Sequence, residues 1–452
     1  MNGLKPQVCE DLVRIGLLVK NNNTLVAANT IAAHALELFM PVLQRFDVRL
    51  VPVSIPGCPI HFCTGILKLP KGAWLDECGD IRAIPAGGQG GDKVAAAVGC
   101  IGEMTERLCL YSLGESDPRV VLANAAVNEI DPAPLIGFSP SQLVQFTEKR
   151  PGLISNCGGC TIAWDKVSDR RVFLTDLSHQ KETYLPAYTA LFDEPVLNFC
   201  GGIGLASTVG CAVWRDLKGA RDRALLELIE RDAIAQAWYN RLGITRLSEG
   251  FLSKKVPVDL LNFLSGRSRA WSVTRVQTDF PVHVVVAVSH VEDGKMAAFG
   301  SSANWDLPSA LLSALCEMLQ AENSLDMMIQ AYPETQSTDQ TALPKVLRYA
   351  RTGSIIADWP VEEQVSEDPT SDDETYSYEQ MLAALQHKDI KVWEFNATRP
   401  DLKVPCIKLF SPELCTWQPR FGKPRLFNGV VERGLRKTPA DKAEFAARPF
   451  PF

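Results

Sequence analysis

What this 452-residue sequence lacks narrows the reading before any motif is considered. Crossing a bilayer takes about 20 consecutive apolar residues, and the N-terminal apolar run, Ile15 to Val19, falls far short. The opening MNGLKPQVCEDLVRIGLLVK also has no adequate h-region before a small-residue cleavage site, so no secretory signal is expected and the reading is cytoplasmic, with no membrane partner. Basic excess is missing too. With 46 Lys and Arg against 53 Asp and Glu, the net charge is −7, which argues against nucleic acid or an anionic membrane surface as a partner. It leaves open a small ligand held by magnesium. The six histidines form no H-E-x-x-H and no G-x-S-x-G elbow occurs, which removes the usual zinc-protease and hydrolase readings. The thirteen cysteines are odd in number and scattered, with Cys100, Cys109, Cys200 and Cys316 inside apolar runs, as reduced buried thiols are.

What is present suits a large α/β enzyme: 46% apolar and 22% charged residues are enough for a sizeable core. Residues 27 to 46 carry apolar side chains at helical spacing, with Asn29 or Thr30 as the cap. VRLVPVSI and PIHFCTGILKL read as strands, AGGQGGDK (86 to 93) as a glycine-rich loop, and VHVVVAVSHV (282 to 291) as a strand. Residues 118 to 126 and 170 to 176 read as strands or short connectors. Helices are expected from Lys218 to Asn240 and from Asp306 to Met328. Residues 362 to 374 are acidic and read as an exposed loop, and IKVWEF and VPCIKLF return to strands. The division expected is an N-terminal tail over 1 to 26 and one domain over 27 to 452, ending in a proline-rich extended tail over 447 to 452.

The main pattern is an acidic pair repeated on helices. Glu103/Glu106 followed by Arg107 recurs as Glu227/Glu230 followed by Arg231, and Glu317/Gln320 supplies a third pair. Residues three apart share a helix face, so all three pairs could line one site. Taken alone, each E-x-x-E-R is more often a solvated face with a weak ion pair. The context of ALLELIE argues otherwise, because a helix that is apolar all round is buried. Buried glutamates cost several kcal/mol each unless paired or bound to a cation, and one adjacent arginine does not neutralise two of them. Magnesium with a nucleoside triphosphate would.

GGQGGDKVAAAVGCIGEMTER resembles the first signature of YcaO-domain proteins, with Gly90 to Glu103 at the family spacing. STVGCAVWRDLKGARDRALLELIERDAIAQAW resembles the second, with Gly210 to Glu227 in step, and FGSSANWDLPSALLSALCEMLQ the third. The likeness covers nearly the whole chain. It implies an α/β YcaO fold of mixed sheets, whose helices carry an ATP site that is not a P-loop. AGGQGGDKV agrees by failing the P-loop pattern: Lys93 follows Asp and precedes Val. By resemblance Glu103, Glu106, Glu227 and Glu230 are the magnesium ligands, and Gln89, Arg107, Arg231, Glu317 and Gln320 join them in holding ATP. The chain departs from many members at Gln89 (lysine) and Gly99 (serine), from others at Arg215 (Asn) and Gly219 (Glu), and from some at Glu322 (arginine).

The resemblance further implies cyclodehydration of a ribosomally made precursor peptide. A Cys thiol or Ser/Thr hydroxyl attacks the preceding amide carbonyl, the oxyanion takes the γ-phosphoryl group of ATP, and phosphate leaves to give an azoline. The ending R-P-F-P-F resembles the tail of such cyclodehydratases, which enters the active site, and so assigns Pro449, Pro451 and Phe452 to catalysis; the plain alternative is a frayed terminus. TVGCA (208 to 212) resembles the microcin B17 type more than stand-alone members. No winged-helix segment to hold a leader peptide is found before residue 27, so a ThiF-like or leader-binding protein is expected as partner, with an oligomer and a flavin dehydrogenase as further expectations. Thioamide or amidine formation and a non-catalytic scaffold are the rival functions. Cys157 and Cys160 form a C-x-x-C that Cys58, His61 and Cys63 could complete as a zinc site, though buried thiols are the better reading.

Overall fold

The computed structural model describes residues 3–22, 24–69, 83–123, 128–149, 167–196, 204–333, 343–361 and 374–452. The chain divides into two compact units: residues 1–55, 61–225 and 390–413 form the first, and 56–60, 226–389 and 414–452 the second. Cys157 and Cys160, and the acidic loop from 362 to 373, lie outside the described residues.

In the first unit, strands Asp47–Val53, His61–Lys68 and Ala83–Gly90 form an antiparallel sheet. Helices Thr30–Arg45 and Lys93–Cys109 pack with it around one core that includes Leu36, Phe39, Leu50, Leu67, Ile101 and Met104. Asn29 caps the first of these helices as the sequence suggests, accepting a hydrogen bond from the Ala32 amide. A second sheet runs in the order Val120–Leu122, Arg170–Asp176, Trp393–Asn396, Cys406–Phe410 and Cys211–Val213, and Glu182–Pro186 pairs with Arg170–Asp176. All these strand pairs are antiparallel, and parallel pairing enters through isolated bridges, Tyr111 with Phe192 and Glu129 with Tyr184.

Two expectations are corrected here. Residues 86–90 of the glycine-rich stretch are not a loop but the end of the strand Ala83–Gly90. Their glycines let the following helix lie directly on the sheet: a Cβ at Gly88 would stand 2.1 Å from the Ala96 carbonyl oxygen. The segment taken as an N-terminal tail is folded. Helix Pro6–Arg14 and the hairpin Leu18–Asn21/Thr24–Ala27 bury Val8, Leu12, Leu17 and Leu18 in the first core. Asp11, fully buried, fixes the helix by accepting from the Leu50 amide at 3.1 Å and from Arg49 Nε at 3.0 Å.

The second unit is built on a four-stranded antiparallel sheet in the order Ile244–Arg246, Ala270–Val276, His283–His290 and Ala298–Asn304. His283–His290 is buried at every position but its last, as a run of β-branched residues at the centre of a covered sheet should be. Helix Leu307–Ala331 lies on this sheet. Gly300 repeats the device of Gly88, since a Cβ there would stand 2.1 Å from the Met318 amide nitrogen. The helix Leu217–Asn240 begins in the first unit and runs on into the second; from Ala224 to Asn240 every residue but Glu227 and Arg231 is buried. No helix among the described residues is long and apolar enough to cross a membrane.

Candidate active site

The three motif helices begin alike. Asp92 Oδ1 accepts from the Ala95 amide, Asp216 Oδ1 from the Gly219 amide and Asp306 Oδ1 from the Ser309 amide, at 2.8, 2.7 and 2.8 Å. In each case the first motif acid, Glu103, Glu227 or Glu317, follows the capping aspartate by eleven residues. Eleven residues make about three turns, so cap and acid share a face roughly 16 Å apart. The sequence reading saw the acids three apart but missed this cap, although D-x10-E-x2-[EQ] stands in the sequence three times.

In the first unit, Glu103 Oε2 accepts from the Gly87 amide at 2.7 Å, and Glu103 Oε1 pairs with Arg107 one turn on. Arg107 also donates to the Pro85 carbonyl at 2.6 Å, so both ends of the pair are tied to the neighbouring strand. Glu106 lies half-buried on the same helix, and Gln89 half-buried on that strand. The departure at Gly99 is compatible with this packing, because a Cβ there meets Gly88 Cα at an ordinary 3.6 Å. The departure at Gly219 has a cause as well. The Trp214 indole fills the volume a side chain would need, only 2.0 Å from an added Cβ, and the Arg223 guanidinium lies 3.6 Å over that indole.

The second unit brings the second and third pairs together. Arg231 donates to Glu230 at 2.9 Å and to Glu227 at 3.0 Å. Glu230 is buried, and it also accepts from Ser301 Oγ at 2.7 Å and from the Ala303 amide at 3.0 Å, both on the strand Ala298–Asn304. Glu317 Oε2 accepts from the Ser301 amide at 3.0 Å, as Glu103 does from Gly87 in the first unit. Burial by itself would lower the basicity of the Arg231 guanidinium. The Glu230, Glu227 and Glu317 carboxylates outweigh it and hold the group well above the ordinary arginine range. Two buried atoms here have no partner among the described residues, Arg231 Nε and Gln320 Oε1.

Glu322, where some relatives carry arginine, is buried against Arg267, which donates to one carboxylate oxygen, and Ser289, which donates to the other. The charge reversal is therefore balanced within the second unit.

The end of the chain is packed rather than frayed. Phe450 is fully buried, Pro451 buried and Phe452 half-buried, while Pro449 is exposed. Phe452 stacks on Phe299 at 5.0 Å and Phe450 on Trp417 at 4.7 Å. Lys345 Nζ donates to the Phe450 carbonyl, and Trp238 Nε1 donates to the Arg448 carbonyl at 3.1 Å. Trp417 was missed by sequence reasoning, since no local pattern marks it.

The family model described as "YcaO cyclodehydratase, ATP-ad Mg2+-binding" matches residues 87–415. The chain belongs to the YcaO family. Its cofactors are ATP and Mg2+. A search of curated proteins returned no match. Among solved structures, a heterocyclase in complex with substrate and cofactor superposes with a TM-score of 0.72 at 18% identity, covering 98% of this chain and 60% of that one. YcaO from Methanopyrus kandleri bound with AMPPCP and Mg2+ gives 0.56 at 17% identity, covering 94% and 96%. The E. coli microcin synthetase McbBCD complex with pro-MccB17 bound gives 0.52 at 16%, covering 81% and 88%. This YcaO chain thus spans 60% of the length of the heterocyclase it resembles.

The donor set fits the family's metal. Carboxylates and an amide oxygen with no partner among the described residues suit a hard divalent cation. Among the described residues no group of three or more His, Cys, Asp or Glu could hold a metal by itself. That accords with magnesium, which commonly keeps water and phosphate oxygens and takes only one or two protein carboxylates.

Proposed function

We propose that this protein uses Mg2+ and ATP to convert Cys or Ser/Thr residues of a ribosomally made precursor peptide to azolines, with loss of one water per ring. The reading is supported most by one observation: the Glu227–Glu230–Arg231 network meets Glu317 in a largely buried setting where Gln320 Oε1 has no donor among the described residues. Glu103 and Glu106 on the first motif helix, and Glu227 and Glu230 on the second, each offer one or two carboxylates to magnesium, with Gln89, Arg107, Arg231, Glu317 and Gln320 contacting the nucleotide. When bound, Mg–ATP supplies the phosphoryl group that makes the amide oxygen a leaving group. Ser301 and the Ala303 amide orient Glu230 by donating to both of its oxygens. Arg231 fixes Glu227 and Glu230 relative to each other and offers its Nε proton to an incoming anion. Pro449, Pro451 and Phe452 serve the peptide step, a reading supported by the burial of Pro451 and the stacking of Phe452 on Phe299. A leader-binding or ThiF-like protein presents the peptide, and a flavin dehydrogenase acts on the product.

The test is to incubate the protein with the precursor peptide encoded beside it, the adjacent partner protein and Mg–ATP, and to weigh the peptide. One water lost per ring is expected. Replacement of oxygen by sulfur would instead assign thioamide formation, and an unchanged peptide with no ATP hydrolysis would leave a scaffold. Removing residues 449–452 abolishes ring formation if the ending serves the peptide step.

A further inference from the structure

The Trp417 indole touches both halves of the second unit's chemistry. The Arg231 carbon Cζ lies 3.5 Å from its ring centroid, and the Phe450 ring lies 4.7 Å from it with the planes 13° apart. Both neighbours are too close for them to share one face without colliding, so the indole is clamped between them. On its other side the guanidinium is held only along one edge: Nη1 donates to Glu230 and Nη2 to Glu227, while Nε has no partner among the described residues. Two hydrogen bonds on one edge act as a hinge, about which a planar group can tilt. The indole face removes that freedom, and a cation over an aromatic face is also attracted to it.

The clamp is anchored at its far end. Tyr239 Oη donates to the Trp417 carbonyl at 2.9 Å and accepts from the Phe450 amide at 3.3 Å, so one hydroxyl joins both stacked residues. Burial pushes that phenol up to about 12, against the opposing effect of the Phe450 amide, so it stays protonated and able to donate.

We propose that Trp417 is a positioning residue: it couples the seating of residues 448–452 to the orientation of Arg231, and through Arg231 to Glu227 and Glu230. This rests on the reading that Glu227, Glu230 and Arg231 bind Mg–ATP. An ending that is displaced loosens the Phe450 stack, frees the indole and lets the guanidinium tilt away from its carboxylates. Nucleotide affinity therefore reports on whether the ending is in place.

The test measures equilibrium binding of AMPPCP with Mg2+ to the full chain. Trp417→Leu weakens binding roughly tenfold, Trp417→Phe, which keeps a π face, stays within about threefold, and Phe450→Leu shifts affinity in the direction of Trp417→Leu. Leu264→Ala is the structural control. Leu264 is fully buried on the helix Val258–Ser265 and takes no part in the clamp, so its variant lowers the melting temperature but leaves affinity alone. Should Trp417→Leu not fold, Phe450→Leu carries the same comparison. Wild-type affinity in Trp417→Leu, or an equal loss in Leu264→Ala, overturns the proposal when Glu230→Gln has lost binding. Undiminished binding in Glu230→Gln overturns instead the site assignment on which it rests.

Discussion

Gly88 and Gly300 show how much rests on single atoms. Each sits on a strand under a motif helix, and an added Cβ at either would press within 2.3 Å of two helix backbone atoms. Backbone cannot move aside as a flexible side chain can, so Gly88→Ala and Gly300→Ala should each cost about 2–3 kcal/mol in thermal or denaturant unfolding. Gly99→Ser, which meets nothing closer than 3.6 Å, should cost under about 0.5 kcal/mol and serves as the contrast. The same scale explains why Glu230 is worth more than its neighbours in the sequence pattern suggest. It accepts from Arg231, Ser301 and Ala303 while buried, so Glu230→Gln both loses the charge and leaves a donor facing donors. A metal-affinity loss of at least about a hundredfold is expected, read from Mg2+-dependent nucleotide binding.

At the scale of elements, the capping aspartates set where each motif helix begins, and three turns later the acid falls on the same face. Asp306→Ala should cost about 1 kcal/mol of stability, measured by chemical denaturation, and Asp92→Ala a similar amount. The motif helices were legible because their signals are local: spacing, apolar content and an acid pair sufficed to place 217–240 within one residue at its start. The strand 283–290 was legible from its β-branched run. The glycine-rich strand was not, since glycine ordinarily weakens strands, and its use here is to admit a helix that comes from further along the chain. The N-terminal helix was missed because a buried Asp11 reads as surface until Arg49 and Leu50 are seen beside it. Trp417 and Phe450 were beyond reach for the same reason, as their contact with each other and with Arg231 is made only by folding.

Over whole units, charge pairing away from the motif acids supports the second unit. Asp232, fully buried on the second motif helix, accepts from Arg425, which also pairs with Asp279, and Lys388 reaches Asp279 at 3.0 Å. Burial alone would raise the Asp279 carboxyl, but Arg425 and Lys388 outweigh it and hold it at about 2. A carboxyl lowered on folding contributes stability that is complete above its unfolded value of about 3.9 and is lost as the pH falls through the folded value. Near-neutral stability therefore includes about 2 kcal/mol from this group that disappears between roughly pH 4 and 2, and Asp279→Asn should flatten the acid limb of the unfolding curve there. Removing Arg425 as Arg425→Met strands two carboxylates and should cost about 3–5 kcal/mol. Family membership, ATP and Mg2+ were legible in the spacing of three motifs, whereas the division into two units was not, because no linker composition marks it. Everything proposed for this protein turns on the motif glutamates holding Mg–ATP. The decisive experiment is calorimetric titration of AMPPCP into the protein, with and without Mg2+, repeated on Glu103→Gln and Glu227→Gln. Binding should need Mg2+ and be lost in both folded variants; metal-independent binding, or wild-type affinity in either variant, would refute that role.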